Sequence, residues 1–203
     1  MSEEAPSAAG RADATRERLL AAAIEAFAAK GFHGTTTRDI ASAAGMSPAA
    51  LYVHHRSKEE LLYLISRRGH QRTLELIIDA RAGAGEPVAQ LRSVAAAFAR
   101  HHAHAHTTAR IINYELAALD DEHAAEIADL RHRIDAELRD LVRTGVTAGV
   151  FDCPDPRLAA AALLSLGIDI ARWYHEDLAW SPEQLADAYG DFALRIVGAP
   201  RHP

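Results

Sequence analysis

The stretch TTTRDIASAAGMSPAALYVHHRSKEELL, residues 35–62, limits the fold more tightly than any other part of the chain. Its helix start and stop signals stand so close together that only short elements fit between them. Thr36 with Asp39 three residues later forms a start of the capping-box type, and Ile40 and Ala44 then share one face. Gly45 ends that helix, because a residue without Cβ enters the left-handed conformation at little cost. Ser47 caps the next helix, and Pro48 occupies its first position, where a missing N–H is no loss. That second helix ends near His55. Ser57, with Glu60 as a full capping box, then opens a long helix running to about residue 83. Two short helices joined by a tight Gly-containing turn, followed by a long helix leading away, are the outline of a helix-turn-helix.

The remaining segments are also helical. TRERLLAAAIEAFAAKG carries Leu20, Ile24 and Phe27 at helical spacing, with Gly31 as its stop. Gly83, Gly85 and Pro87 mark a boundary. Further helices are expected near 87–106, 107–119, 122–148 and 157–175. A last one starts at Ser181, with Pro182 at its first position and Gln184 completing a capping box. Clear alternating strand patterns are missing, and only 6% of residues are aromatic, so the expected class is all-α. The expected organisation is a disordered tail over 1–13, a three-helix helix-turn-helix DNA-binding domain over 14–60, and a helical ligand-binding and dimerisation domain over 61–198.

Charge supports a division of labour. Residues 1–82 carry 11 Lys/Arg against 10 Asp/Glu, whereas residues 83–203 carry 11 against 18. The second part repels a polyanion and the first does not. A helix entering the major groove needs small or polar residues in its first turn. Ser47, Pro48, Ala49 and Ala50 meet that need. Leu51 is expected to point inward, while Tyr52 and His54 beside it reach phosphates or a thymine methyl. Lys58 is expected to meet a phosphate through its ammonium. Thr36, Thr37 and Arg38 open the preceding helix, and Arg38 also has the length to reach a guanine.

The span from Thr15 to about Leu64, with AAKGFHGTTTRDIA, AGMSPAALYVHH and SKEELL at fixed spacing, resembles the DNA-binding domain of the TetR family of bacterial regulators. The resemblance implies that the residues just named are the DNA contacts. It also implies a homodimer on a palindromic double-stranded operator, a small-molecule effector, and action as a repressor. The chain departs from the family at His55, where an aromatic residue, often Phe, usually packs the recognition helix.

In the C-terminal part, Leu163, Leu166, Ile170 and Trp173 form an apolar stripe, as do Leu185, Tyr189, Phe192 and Ile196. The alternatives are a monomer core or a dimer interface, and the family resemblance implies a four-helix interface. NYELAAL, RHRIDAELRDLVRTGVTAGVF and ARWYHEDLAWSPEQLADAYGDFALRIVG resemble the subset of TetR regulators that sense acyl-CoA thioesters. Phe98, His102, His106, Asn113, Arg172 and Trp173 are the expected pocket residues for an acyl-CoA or other hydrophobic ligand, with Arg172 placed for the CoA phosphates.

RHHAHAH, residues 100–106, invites a metal site. On a continuous helix, however, His101 and His104 share one face and His102 and His106 another, with no carboxylate or cysteine within a turn. No metal and no cofactor are expected. His102 falls on the buried arc with Leu91, Val94 and Phe98, His106 borders it, and His104 lies outside. An enzyme is disfavoured by the lack of H-E-x-x-H, G-x-S-x-G, a Gly-rich phosphate loop and paired cysteines. Cys153 reads as an incidental thiol. The N-terminus has no signal-peptide pattern, and the apolar run at 158–171 is too short and interrupted to span a membrane, so a cytoplasmic location is expected.

Overall fold

The computed structural model describes residues 8–200 and is all-α, with no strand among the described residues. Its helices are α1 (Ala8–Gly34), α2 (Thr37–Ala43), α3 (Pro48–His54), α4 (Lys58–Ala82), α5 (Pro87–His104), α6 (His106–Tyr114), α7 (Asp121–Thr147), α8 (Pro156–Trp173) and α9 (Pro182–Ile196). A 3₁₀ turn, Leu116–Ala118, joins α6 to α7. Residues 8–13, expected in the tail, are helical; residues 1–7 lie outside the described range. Gly31 does not end α1. It takes φ 69° and ψ 167°, and a last helical turn follows this kink to Gly34.

The caps form as their spacing predicts, with one change. Thr36 and Asp39 make the reciprocal box, and so do Ser181 and Gln184. Ser57 accepts from the Glu60 amide, but the Glu60 carboxylate reaches past Ser57 to the Arg56 N–H, so this cap is not reciprocal. Gly45 turns the chain between α2 and α3 at φ 66°, and the Met46 amide closes the turn on the Ala41 carbonyl at 2.8 Å.

Two apolar cores matter for the site. Leu19, Phe27, Ile40, Leu51, Leu61 and Leu62 pack α1 to α4 into a reading head. Ile111 and Ile112 of α6 enter this same core from the C-terminal part. The larger core joins α4, α5, α7, α8 and α9 around Ile77, Leu91, Phe98, Ile134 and Leu141. Cys153 is buried at its edge. Thus α4 belongs to both cores, and a displacement of α4 is felt in both.

Candidate nucleic-acid interface and effector cavity

The first turn of α3 stands clear of the molecule. Ser47, Pro48 and Ala49 are exposed, while Leu51 is fully buried and anchors the helix. Ser47 Oγ caps the Ala50 amide at 3.2 Å. Tyr52 is 54% exposed and its hydroxyl meets Thr37 Oγ1 at 3.2 Å, so α2 and α3 present these two side chains together. Thr36 and Arg38 are exposed beside them, and His54 is half-buried at the end of α3. The Thr36 hydroxyl is engaged by its cap, donating to Asp39 at 2.6 Å. Arg38 makes no ion pair among the described residues. The outward set therefore combines small residues, hydroxyls and one free guanidinium, which suits close approach to base edges and phosphates.

Lys58 is engaged within the chain. Its ammonium donates to the carbonyls of Phe32 and Thr35, both at 2.8 Å, and lies 4.3 Å from the centre of the Phe32 ring. Two of its three donors close the turn after α1, so its first role is to lock α4 to that turn. His55 is 3% exposed, and neither ring nitrogen has a hydrogen-bond partner among the described residues. Burial holds its pKa below the ordinary histidine value, and the imidazole is neutral at pH 7.

A cavity of about 370 Å³ opens among α4 to α8. Of the expected pocket residues, Phe98, His102 and Asn113 line it; His106, Arg172 and Trp173 do not. Ala105, at φ −100° and ψ 23°, breaks the helix, so a continuous wheel no longer applies at His106. His106 instead packs edge-on against Tyr174, with ring centres 5.6 Å apart. Arg172 lies on the exposed face of α8, held by Asp169 at 2.6 and 2.9 Å. Trp173 packs beside the small cluster of Ala99, Ala103, Ile170, Tyr174 and Leu185.

Polar residues that the sequence did not single out complete the cavity. His70 and Thr73 come from α4, Arg131, His132 and Asp135 from α7, and Ser165 from α8. Arg131 Nη1 donates to Asn113 Oδ1 at 3.1 Å and lies 3.4 Å from His70 Nε2. His70 and His102 are 4% and 3% exposed, and each turns Nδ1 to the carbonyl four residues back, at 2.8 and 2.9 Å. Burial lowers both pKa values, that of His102 to about 4. No pattern in the sequence marks Arg131, because it sits on the polar face of a long amphipathic helix. A smaller cavity of about 190 Å³ lies between α1, α4, α5 and α6 and shares His102 and Ile112 with the first.

The expected dimer residues divide. Leu166, Phe192 and Ile196 are exposed at 43%, 44% and 37%, and Leu163 and Tyr189 are half-buried. Ile170 and Leu185 are buried against Ala99 and Ala103 of α5, so they belong to the fold's interior and not to an outward stripe. The sequence also did not mark Glu59 and Asp120, which converge on His123. His123 Nδ1 lies 2.8 Å from Glu59 Oε1 and 3.4 Å from Asp120 Oδ2, and its ring stacks on Tyr63. Burial alone lowers the His123 pKa, but the hydrogen bond and charge of Glu59, with Asp120 and Glu122, raise it overall. This cluster ties the start of α4 to the start of α7.

An anchored reading helix on a three-helix head, continuous through α4 with a cavity-bearing helical bundle, defines a helix-turn-helix transcriptional regulator. The family model for bacterial regulatory proteins of the tetR family matches residues 19–65, and the one for tetracyclin repressor-like C-terminal domains matches residues 84–197. The chain belongs to the TetR family, whose members are transcriptional regulators and not enzymes.

A crystal structure of a tetR-family regulatory protein from Rhodococcus RHA1 is 41% identical, covers 92% of this chain and 98% of its own, and superposes with a TM-score of 0.88. The transcriptional repressor KstR2 of Mycolicibacterium smegmatis is 26% identical over 96% of this chain and 90% of its own length. The structure of AibR in complex with isovaleryl coenzyme A and operator DNA shares the fold, with a TM-score of 0.82 at 24% identity, covering 92% of this chain and all of that one. Other curated regulators match over 23–31% of this chain and 16–32% of their own length. No helix among the described residues is long and apolar enough to cross a membrane.

Proposed function

We propose that this protein is a repressor that binds a palindromic operator as a homodimer and is released when an acyl-CoA thioester enters the cavity between α4 and α8. The observation that carries this reading is that α4 and α6 each join the reading-head core to the cavity wall. α4 supplies Leu61 and Leu62 to the reading-head core and His70 and Thr73 to the cavity wall. α6 supplies Ile111 and Ile112 to the same core, with Ile112 and Asn113 also lining the cavity. A ligand that moves either helix re-aims α3. Release follows to the extent that the ligand prefers the re-aimed state.

Direct contacts to DNA are assigned to Thr36, Thr37, Arg38, Ser47, Pro48, Ala49, Tyr52 and His54, with the last free donor of Lys58 available to a phosphate. The dimer is assigned to the outward faces of α8 and α9. Leu158, Leu166, Phe192 and Ile196 are large apolar side chains left exposed there, and a second copy would cover them. The acyl group suits the apolar part of the cavity, formed by Phe98, Ile112, Ile134, Leu164 and Ile168. The CoA head is too large for about 370 Å³ and is assigned to the mouth, beside Arg131 and His132. Among proteins of this fold, AibR has been captured with isovaleryl coenzyme A and operator DNA.

A gel shift with the DNA upstream of the protein's own gene tests the reading. Acyl-CoAs but not free CoA should release the complex, and Tyr52→Ala should abolish it while the helical circular dichroism persists. Binding that ignores every thioester would refute the effector assignment, and no shift with any upstream DNA would refute the operator assignment.

A further inference from the structure

We infer that the effector carries a hydroxyl group, received by the Nε2 lone pair of His102, in addition to a carbonyl or anionic oxygen met by Arg131. This rests on the effector reading above and makes it more specific. The argument begins with tautomers. A neutral imidazole has one N–H and one lone pair, and a carbonyl can only accept. His102 Nδ1 lies 2.9 Å from the Phe98 carbonyl, so Nδ1 carries the proton and Nε2 the lone pair. His70 follows the same rule through the Ser66 carbonyl at 2.8 Å. A second contact agrees, since Arg131 can only donate and stands 3.4 Å from His70 Nε2. Both rings therefore offer acceptors, and both line one cavity.

Their situations then differ. The His70 lone pair is already met by a guanidinium. His102 Nε2 has no hydrogen-bond partner among the described residues, although the side chain is 97% buried by its 3% exposure. The Phe98 ring packs on one side of the imidazole, 4.2 Å between centres, and fixes its orientation. The positive charge needed to turn this acceptor into a donor is opposed by burial and by His70 and His101 nearby. Thr73, Asn113, His132, Asp135 and Ser165 also line the cavity, but His102 Nε2 is an acceptor held in place by its own backbone bond beside the apolar Phe98, Ile112 and Leu164. Such an acceptor discriminates by hydroxyl groups. The compound with the hydroxyl pairs the imidazole, whereas the compound without it covers the acceptor and leaves it unpaired.

The test uses matched pairs that differ only in the hydroxyl: hexanoyl-CoA against 3-hydroxyhexanoyl-CoA, and hexanoate against 3-hydroxyhexanoate, titrated calorimetrically into the full-length protein. The hydroxylated member of a pair should bind about tenfold or more tightly. In His102→Phe that preference should vanish or reverse. Equal affinity within each pair for the wild type would overturn the inference while leaving a thioester effector intact. A hydroxyl preference among the free acids, with no thioester bound, would uphold the inference and refute the thioester reading. A preference that survives in folded His102→Phe would overturn the assignment to His102, and binding of none of the four compounds would overturn it outright.

Discussion

The Lys58 ammonium donates to the Phe32 carbonyl at 2.8 Å while lying over the Phe32 ring at 4.3 Å, and it donates equally to Thr35. A residue whose spacing suggests a phosphate contact thus holds α4 against the end of α1. Lys58→Met removes the charge-assisted bonds but keeps the aliphatic stem. The half-exposed site should lose about 1–2 kcal/mol, a fall of roughly 2–8 °C in melting temperature. Scanning calorimetry without DNA isolates this effect. An unchanged melting temperature together with weakened DNA binding would return Lys58 to a purely DNA-facing role.

His55 gives a prediction of opposite sign. Its two buried, unpartnered nitrogens cost stability that an aromatic hydrocarbon does not. His55→Phe should stabilise the protein by about 1–3 kcal/mol at pH 7, measured by urea unfolding. A destabilised variant would mean that the imidazole has a partner, such as an ordered water.

Gly69 lines the smaller cavity and faces Ile112, which lines both. A Cβ built there would fall 2.4 Å from Ile112 Cδ1, so α4 and α6 approach closely because Gly69 has no side chain. Gly69→Ala gains helix propensity of about 1 kcal/mol and should be nearly neutral, since the Ile112 tip can rotate. Gly69→Val adds more bulk and should cost about 1–3 kcal/mol. Denaturant midpoints of the two variants check the contrast, and a stable Gly69→Val would show that α6 yields freely.

The histidines set opposite pH dependences. Folding lowers the His102 pKa from about 6.5 to about 4, so its contribution is present above pH 6.5 and is lost as pH falls from 6.5 towards 4. The loss is about 3 kcal/mol at full protonation. His123 is shifted upward, so its contribution is fully present below pH 6.5 and is lost as pH rises through its folded value. Urea unfolding from pH 4 to 8 should show the acid limb flatten in His102→Phe and the neutral limb flatten in His123→Gln. Unaltered limbs in both variants would remove these residues from the pH response.

The reading head is legible in the sequence because its signals are local. Thr36, Asp39, Gly45, Ser47, Pro48 and Ser57 act on backbone within three or four residues of themselves, so spacing alone places α2, α3 and the start of α4. Leu51 follows from the same periodicity. The cavity is not legible in this way. His70, Asn113 and Arg131 are neighbours only because α4, α6 and α7 pack together, and each stands alone in sequence. The misplacement of His106 follows from a break at Ala105 that no glycine or proline marks. Ile170 and Leu185 sit on apolar stripes whose spacing cannot distinguish a face packed on α5 from one turned outward.

The central claim is that occupancy of the α4–α8 cavity controls the grip of α3 on DNA. Its most direct test is fluorescence anisotropy of a labelled operator duplex titrated with the protein, with and without a saturating acyl-CoA, in the wild type and in Arg131→Ala. The account predicts that the thioester weakens operator binding by tenfold or more in the wild type, about 1.4 kcal/mol of coupling. It also predicts that Arg131→Ala keeps its operator affinity but needs far more thioester for release. Equal release of both proteins at the same thioester concentration would contradict it.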